Sequence, residues 1–541
     1  MNTVSLRQAL SVLSKSSPFS VSTVKERQTD YFDELKDSLY VTQAIERDFK
    51  ELLASASRGD IIFLCGSSGD GKSEILTRHY DKSGSRYRFH LDATHSFSPH
   101  QSAIEALDQL FDKRMADDKP LVVGINIGML ANFAKEGDAR HSEIKTAIED
   151  FLSQSELNSS QFQFLDFEDY PKFYFSEDQA ASSEFTSMLL DKLTRQDETN
   201  PFYCIAQREG SVQDSQKLLA NFKMLAIPEV QNVLITNLFK LRLKKDQFIT
   251  TRALLDLLHH LLLEDGYLWD NLFSGGDDEL LQRLAELDPA NLRTQQLDQL
   301  VLRYELGLPD PELDRFIEQI REKHIALPRT EVKQGDAGSL IRLLYLTKDA
   351  EFANGYHKQF QDEFNDTPME AYASMWQVHK SHTAGNKETF TALRQFYAKE
   401  LIAAVYRYAN RKAPELGKKE LFLGQYGQVK LAAPVEIKGN YGKIAEQKED
   451  KCHHFHAHFK VMDTDLKPVQ ISLGLFELIQ KINLGYRPNR YDKSVVVLLD
   501  EMVDQITEIA KQTQTLKFYE GSKQFVATDD EGMITAEEIV R

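Results

Sequence analysis

Cysteine is scarce in this sequence. There are three in 541 residues, Cys65, Cys204 and Cys452, far apart and in no paired pattern. That excludes a disulfide framework and fits a reducing cytosol. Long apolar runs are missing as well. The longest, Leu254 to Leu263, is interrupted by Asp256, His259 and His260 and is about half the length a bilayer crossing needs. The opening stretch MNTVSLRQALSVLSKSSPF has no long apolar centre and no small-residue cleavage site, so neither a secretory leader nor membrane contact is expected. No internal repeat or low-complexity tract is visible. Positive charge is in deficit, 65 basic against 83 acidic residues, for a net charge of −18. An acidic surface repels phosphate backbones, which excludes a protein that coats DNA by itself. A local basic strip could still touch nucleic acid, and the acidity suits docking on a basic partner.

What is present is an ordinary globular mixture: 41% hydrophobic and 27% charged residues argue against disorder. The length implies roughly three to four domains. Apolar positions at helical spacing predict a helical segment over residues 1–58. Four short runs rich in β-formers follow, IIFLC (Ile61 to Cys65), YRFHLD (Tyr87 to Asp92), LVVGIN (Leu121 to Asn126) and FQFLDF (Phe162 to Phe167). Helical stretches separate them, and that alternation predicts an α/β core with a mostly parallel sheet over residues 59–180. Amphipathic helices predict a helical lid or bundle over 181–335 and a further helical domain over 336–415. Short alternating segments, then helix, a hairpin from Leu516 to Thr528 and a short acidic tail predict an α+β domain over 416–541.

One motif carries specific chemistry. GSSGDGKS, Gly66 to Ser73, follows the first apolar strand and fits G-x-x-x-x-G-K-[ST] at every position. In such a P-loop, glycines let successive N–H groups turn inward towards phosphate oxygens. On this reading Gly66, Ser67, Ser68, Gly69, Asp70, Gly71, Lys72 and Ser73 bind the triphosphate of ATP. Lys72 sets a point charge beside the β- and γ-phosphates, and the Ser73 hydroxyl ligates Mg²⁺. The fold expectation is therefore a multidomain α/β protein with a P-loop NTPase core.

Hydrolysis needs an acid at a strand end, to hold Mg²⁺ or polarise water. VVVLLDE, Val495 to Glu501, looks like such a strand. Its apolar pattern continues at helical spacing through Ile509, however, so a core helix with Asp492 at its start is expected. Asp92 ends the first strand after the loop and is the expected metal-side carboxylate, the alternative being a turn-capping aspartate. Asn126 ends the next strand and could orient water, or simply serve a turn. Arg252 opens FITTRALLDLL and could reach back to phosphate, or lie solvated on the surface; Arg208 is a weaker candidate of that kind.

Three other clusters carry weaker chemical signals. CHHFHAHF, Cys452 to Phe459, would put Cys452, His454, His456 and His458 on one strand face, a spacing that suits zinc poorly unless the strand is bulged. A half-exposed strand with Phe455, Ala457 and Phe459 inward is expected. Glu436 and Lys438 in PVEIKG, with Glu415 upstream, echo a nuclease E-x-K but form a common triplet. KLRLKK, Lys240 to Lys245, reads as a helix with a cationic face before a DNA groove.

With these residues in view, the chain resembles the DptF family, the DNA phosphorothioation-dependent restriction proteins, over nearly its whole length. The resemblance rests on QALSVLSKSSPFSVST, FLCGSSGDGKSEILTRHY, LDATHSFSP, VVGINIGMLANFA, TTRALLDLL and FELIQKINLGYRPNRYDK, in that order. It implies an ATP-binding subunit of a cytoplasmic bacterial antiviral defence complex; ATP hydrolysis is the leading expectation, the alternatives being a nucleotide-gated scaffold without productive turnover and an ATP-regulated nuclease. The implied partners are DptG-like and DptH-like restriction subunits, with DNA contacted mainly through the complex. Gly66, Gly71, Lys72 and Ser73 carry over as the nucleotide-binding residues.

Overall fold

The computed structural model describes residues 4–14, 31–84, 86–91, 102–114, 119–153, 160–209, 216–323, 325, 337–446, 453–521, 523–530 and 533–539. The protein is mixed α/β, with a four-stranded parallel sheet and many helices. It divides into two compact units. The first comprises Met1–Phe173, Ser182–Leu238 and Phe248–Asn365; the second comprises Tyr174–Ala181, Phe239–Gln247 and Asp366–Arg541.

The parallel sheet of the first unit is built from β1 (Ile61–Cys65), β2 (Arg88–His90), β3 (Leu121–Ile125) and β4 (Phe162–Asp166), in the order β2-β3-β1-β4. All five residues of β1 are buried because both faces of the sheet are covered. Ile61, Phe63 and Cys65 face a cluster with Phe111, Phe133 and Ile148. Those side chains come from α3 (Ala103–Asp112), α4 (Ile127–Glu136) and α5 (Ser142–Leu152). Ile62 and Leu64 face the other way, against Ile45, Phe49 and Leu76, from α1 (Ala44–Ser55) and α2 (Lys72–Ser83). This two-residue alternation is the pleat of a strand buried on both sides. The Phe63 ring stacks on Phe164 at 4.8 Å, and Phe164 stacks on Phe151 at 4.5 Å.

The remainder of this unit is helical in its described parts. It includes α6 (Thr251–Leu263), whose N-cap Thr250 accepts from the Ala253 N–H. No helix among the described residues is long and apolar enough to cross a membrane.

The second unit holds a five-stranded antiparallel sheet. Its hairpin β5 (Glu420–Tyr426) and β6 (Val429–Pro434) continues through β11 (Thr515–Glu520) to β12 (Lys523–Asp530) and β13 (Met533–Glu538). The stretch expected as a short acidic tail is thus a third strand, β13, paired with β12 from Met533 to Glu538. Its side chains are all exposed, Met533 and Ile534 included, so no alternation of buried and exposed positions marks it as a half-buried strand.

Between these strands lie β7 (Ile437–Gly439), β8 (His454–Ala457), β9 (Phe459–Val461) and β10 (Val469–Ser472). The histidine-rich stretch is not one strand. It breaks at His458, with β8 pairing to β10 and β9 to β7. Phe455, Ala457 and Phe459 are buried as expected, but His454 and His458 are buried too, so the stretch is not half-exposed; Cys452 lies outside the described residues.

The helices of this unit include α7 (Ile402–Ala409), α8 (Leu473–Asn483) and α9 (Lys493–Ala510). VVVLLDE is helical, as its spacing predicts. Leu499, Met502 and Ile506 are buried, while Asp500 and Glu501 are exposed. Asp492 occupies the N-cap position of α9 without a side-chain cap bond of its own.

One buried carboxylate ties α1 to α2. Glu46 is 4% exposed. It accepts from the Tyr40 hydroxyl at 2.5 Å, with His79 Nε2 at 3.3 Å and the Lys50 ammonium at 3.2 Å. Burial alone would raise its carboxyl, but the bonds from His79, Tyr40 and Lys50 outweigh that and lower it to about 2. A depressed folded value gives stability that is complete above the unfolded value of 4.5 and lost as pH falls towards the folded one. Glu46→Gln should therefore flatten the acid limb between pH 4.5 and about 2, measured as urea midpoint against pH. An unchanged limb would show that Glu46 does not anchor this pair of helices.

Candidate functional site

The loop from Gly66 to Ser73 leaves the C-terminal end of β1 and runs into α2. Its two sheet neighbours end level with it: Cys65 pairs with Ile125 of β3 and with Asp166 of β4. The Gly66 N–H donates to the Ile125 carbonyl at 3.3 Å, which fixes where the loop departs.

The curl of the loop needs its glycines. Gly69 and Gly71 have φ of +88° and +104°, a region that L side chains disfavour. Gly66 has no such angle but no space either. A Cβ there would lie 2.8 Å from the Phe167 ring and 3.0 Å from Asp70 Oδ2.

Asp70 is the internal strut. It is fully buried; Oδ2 accepts from the Ser67 N–H at 2.7 Å and Oδ1 from the Lys172 ammonium at 3.2 Å. Burial lowers the Lys172 ammonium below the ordinary lysine range, with Asp70 opposing that. The Phe167 and Phe248 rings lie 5.5 and 5.8 Å from the same nitrogen.

The strut turns the rest of the loop outward. Ser67, Ser68, Gly69 and Ser73 are exposed. Lys72 folds back over the loop, its ammonium donating to the carbonyls of Gly66 at 2.9 Å and Ser67 at 2.6 Å. Helix α2 starts at Lys72 with Gly71 as N-cap and no side-chain cap. Its first-turn N–H groups therefore face outward without a capping oxygen, which suits an anion. The residues present thus fit a polyphosphate: a curled glycine backbone, an ammonium over it, an uncapped helix start and an exposed hydroxyl at Ser73.

The other residues singled out from the sequence are placed as follows. Asn126 follows β3 and N-caps α4, its Oδ1 accepting from the Met129 N–H at 2.6 Å. Arg252 is at the loop, but by its backbone: its N–H donates to the Gly69 carbonyl at 3.0 Å. Its guanidinium donates to the Leu13 carbonyl at 3.2 Å and lies 3.9 Å from Asp256. The adjacent Thr251 hydroxyl donates to the Asp70 carbonyl at 3.0 Å. Arg208 bonds the Cys204 carbonyl one turn back on its own helix. Asp92 lies outside the described residues, and β2, which precedes it, pairs with β3 and is not beside β1.

Asp166 was not singled out, although it ends an apolar run just as Asp92 does. It is level with Cys65 beside the loop. Burial pushes the Cys65 thiol up, the Asp166 carboxylate adds to this and the Lys72 ammonium opposes it. Both charges therefore act on the strand end that carries the loop. Asp166 Oδ1 also accepts from the Glu168 N–H at 3.1 Å.

Among the described residues no group of His, Cys, Asp or Glu is arranged to hold a metal ion. Glu436 pairs with Lys419 at 2.7 Å and Lys438 at 2.6 Å, and Glu415 with Lys430 at 2.5 Å. Within KLRLKK, Lys240 pairs with Asp366 and Lys244 with Glu477, so part of that cationic face is already neutralised.

Removing one member of a buried pair strands the other charge, at a cost of about 3–5 kcal/mol, whereas removing both is much cheaper. Lys172→Met should destabilise the protein by that order, and Asp70→Asn in the same chain should recover most of the loss. Chemical denaturation of the two single variants and the double variant measures it; additive losses would show that the pair does not act as a unit. Comparison of the chain with family models, with curated proteins and with solved structures finds no match.

Proposed function

We propose that loop 66–73 binds a nucleoside triphosphate, ATP, and that the chain is a P-loop ATPase subunit. The observation that carries this is the loop itself. Two positive-φ glycines and a buried aspartate strut hold an exposed backbone arc, with Lys72 lying across it ahead of an uncapped helix start. On binding, the Lys72 ammonium exchanges two carbonyl oxygens for phosphate oxygens, so its charge stays solvated by acceptors throughout. The Ser73 hydroxyl would hold Mg²⁺, which supplies charge neutralisation at the phosphates when bound. Asp92 remains the proposed metal-side carboxylate, and Asp166 is a second candidate at the strand end beside β1. In the family resemblance this activity belongs to the restriction arm of a phosphorothioation-dependent defence system in the cytoplasm. DptG-like and DptH-like subunits are the partners there and supply most of the contact with DNA.

A second reading, a nucleotide-gated scaffold without productive turnover, is favoured by two observations. Asn126 uses its side-chain oxygen as a helix cap, and the Arg252 guanidinium is bonded away from the loop.

Lys72→Ala should abolish retention of Mg·ATP in equilibrium dialysis while leaving the melting temperature unchanged, since no buried charge is stranded. Retention equal to the parent protein would overturn the reading. Asp92→Asn and Asp166→Asn, compared by phosphate release, identify the hydrolytic acid by a loss on the order of a hundredfold in one of them. Asn126→Ser keeps a capping oxygen but removes the amide. Turnover unchanged in that variant would assign Asn126 to the cap alone, and no turnover in any form would favour the scaffold.

A further inference from the structure

A cleft in the second unit, far along the chain from loop 66–73, has a charge opposite to that of the whole molecule. Its volume is ≈ 1220 Å³, and its lining among the described residues includes eight lysine and arginine side chains but a single carboxylate, Glu436. That carboxylate already serves Lys419 and Lys438. Among the described residues, Lys412, Lys418, Arg487 and Lys493 have no carboxylate partner, and all four are exposed. Arg407 is held by neutral oxygens, the carbonyl and side-chain oxygen of Asn483, at 2.7 and 2.6 Å. In a chain of net charge −18, such a concentration of uncompensated cations costs self-repulsion.

The cleft is also rigid. One wall is the connection between α8 and α9. Helix α8 ends in a left-handed turn, with Gly485 at φ +95°. The Tyr486 N–H donates to the Lys481 carbonyl and the Gly485 N–H to that of Ile482, the paired bonds of a Schellman stop. Three residues later Asn489 and Asp492 form a reciprocal capping box. Asp492 also accepts from the Tyr486 hydroxyl at 2.8 Å, and the Asn489 side chain donates to that same hydroxyl at 2.7 Å. The one acidic group of the connection is thereby spent on internal bonds, and Arg487, Arg490 and Lys493 are left facing outward. The opposite wall is fixed by Asn410, which donates to the Glu420 carbonyl at 2.7 Å and accepts from the Phe422 N–H at 2.9 Å. The Glu420 carboxylate is likewise consumed, by Lys517, Tyr519 and the Gly417 N–H.

Aromatic rings interleave with the cations. Tyr486 lines the cleft, and Tyr491 is 78% exposed with the Arg490 guanidinium 4.8 Å from its ring. Tyr491 adjoins the lining residue Arg490, whose guanidinium covers one side of its ring; the rest of the ring stays in water and, beside unpaired cations, is a platform for a base. The volume exceeds the roughly 300–1000 Å³ usual for a single small molecule, so a mononucleotide would underfill it.

We infer that this cleft binds single-stranded nucleic acid, its lysines and arginines tracking the phosphates while bases stack on Tyr491 and Tyr486. The contact is made by this chain itself and does not rest on the reading of loop 66–73.

The test is fluorescence anisotropy of the full chain, without nucleotide triphosphate, using labelled oligothymidine and oligouridine of about 20 nucleotides, a duplex of the same length, and inorganic polyphosphate as competitor. Single strands should bind at roughly 50 mM salt and be released steeply as salt rises. The relative affinity of the two oligomers assigns the sugar. Lys418→Glu with Arg487→Glu and Lys493→Glu should weaken binding at least about tenfold. All three side chains are exposed, so the melting temperature should be unchanged. Tyr491→Ala should weaken oligonucleotide binding roughly tenfold and leave polyphosphate binding as it was. No binding at low salt, tighter binding of the duplex, wild-type affinity in the triple variant or indifference to Tyr491→Ala would each overturn the inference.

Discussion

The curl of loop 66–73 depends on a carboxylate that faces inward. Asp70 bonds the Ser67 N–H across the turn and is neutralised by Lys172, so the backbone between them is held from inside and its outer side stays open. A buried ion pair of this kind contributes little net stability, because desolvation offsets most of the attraction. What it contributes is shape. Without a partner the Asp70 charge would be driven towards water, taking the turn with it, and Lys172 would lie uncompensated between two aromatic rings. Gly66 belongs to the same constraint, since its missing Cβ leaves the space that Phe167 and Asp70 occupy.

How much of this could be read from the sequence follows the distance over which each feature is encoded. The loop motif, β1 and the four parallel strands are local patterns, and each falls where its residues predict. Helix α9 was separable from a strand because its spacing of three and four persists through Ile506. The strut is different. Asp70 and Lys172 are 102 residues apart, and nothing in PKFYF announces a partner for a loop aspartate. Arg252 shows a subtler limit: its neighbourhood with the loop was legible, but the contact is made by its backbone N–H, which any residue there would supply. Asp166 was hidden for the opposite reason. Strand-end aspartates are common, and only the sheet order puts β4, which ends at Asp166, beside β1 and leaves β2 a strand away. Strand β13 escaped because both of its faces are exposed and its large apolar residues, Met533 and Ile534, are adjacent and do not alternate.

Charge follows the same logic. A net −18 describes the average surface, and the average is misleading wherever acids are consumed internally. In the second unit Glu420, Asp492 and Glu436 are all engaged by nearby donors, so the cations around them are not cancelled by the count. The basic cleft is assembled from positions between Arg407 and Lys493, with no more than two of them adjacent in sequence. Conversely KLRLKK, the one conspicuous run, has two of its lysines in ion pairs.

The placement of α6 gives the loop a mechanical reader. Gly69 and Asp70 present their carbonyls to the Arg252 N–H and the Thr251 hydroxyl, the first turn of a helix whose inner face is buried along its length. A Cβ at Gly69 would lie 2.9 Å from Arg252 Cβ, so the two segments are packed to contact and neither can shift without the other. If loop 66–73 re-aims its amides at phosphate, the carbonyls on the opposite side of the same peptides rotate with them, because each peptide unit is planar. The bonds to Thr251 and Arg252 must then lengthen or be replaced. Under the proposed function, occupancy of the loop would then displace a 13-residue helix, with no side chain of Arg252 needed near phosphate. Such a lever would serve a scaffold and an ATPase equally well, and the Thr250 cap stiffens the first turn through which it would act.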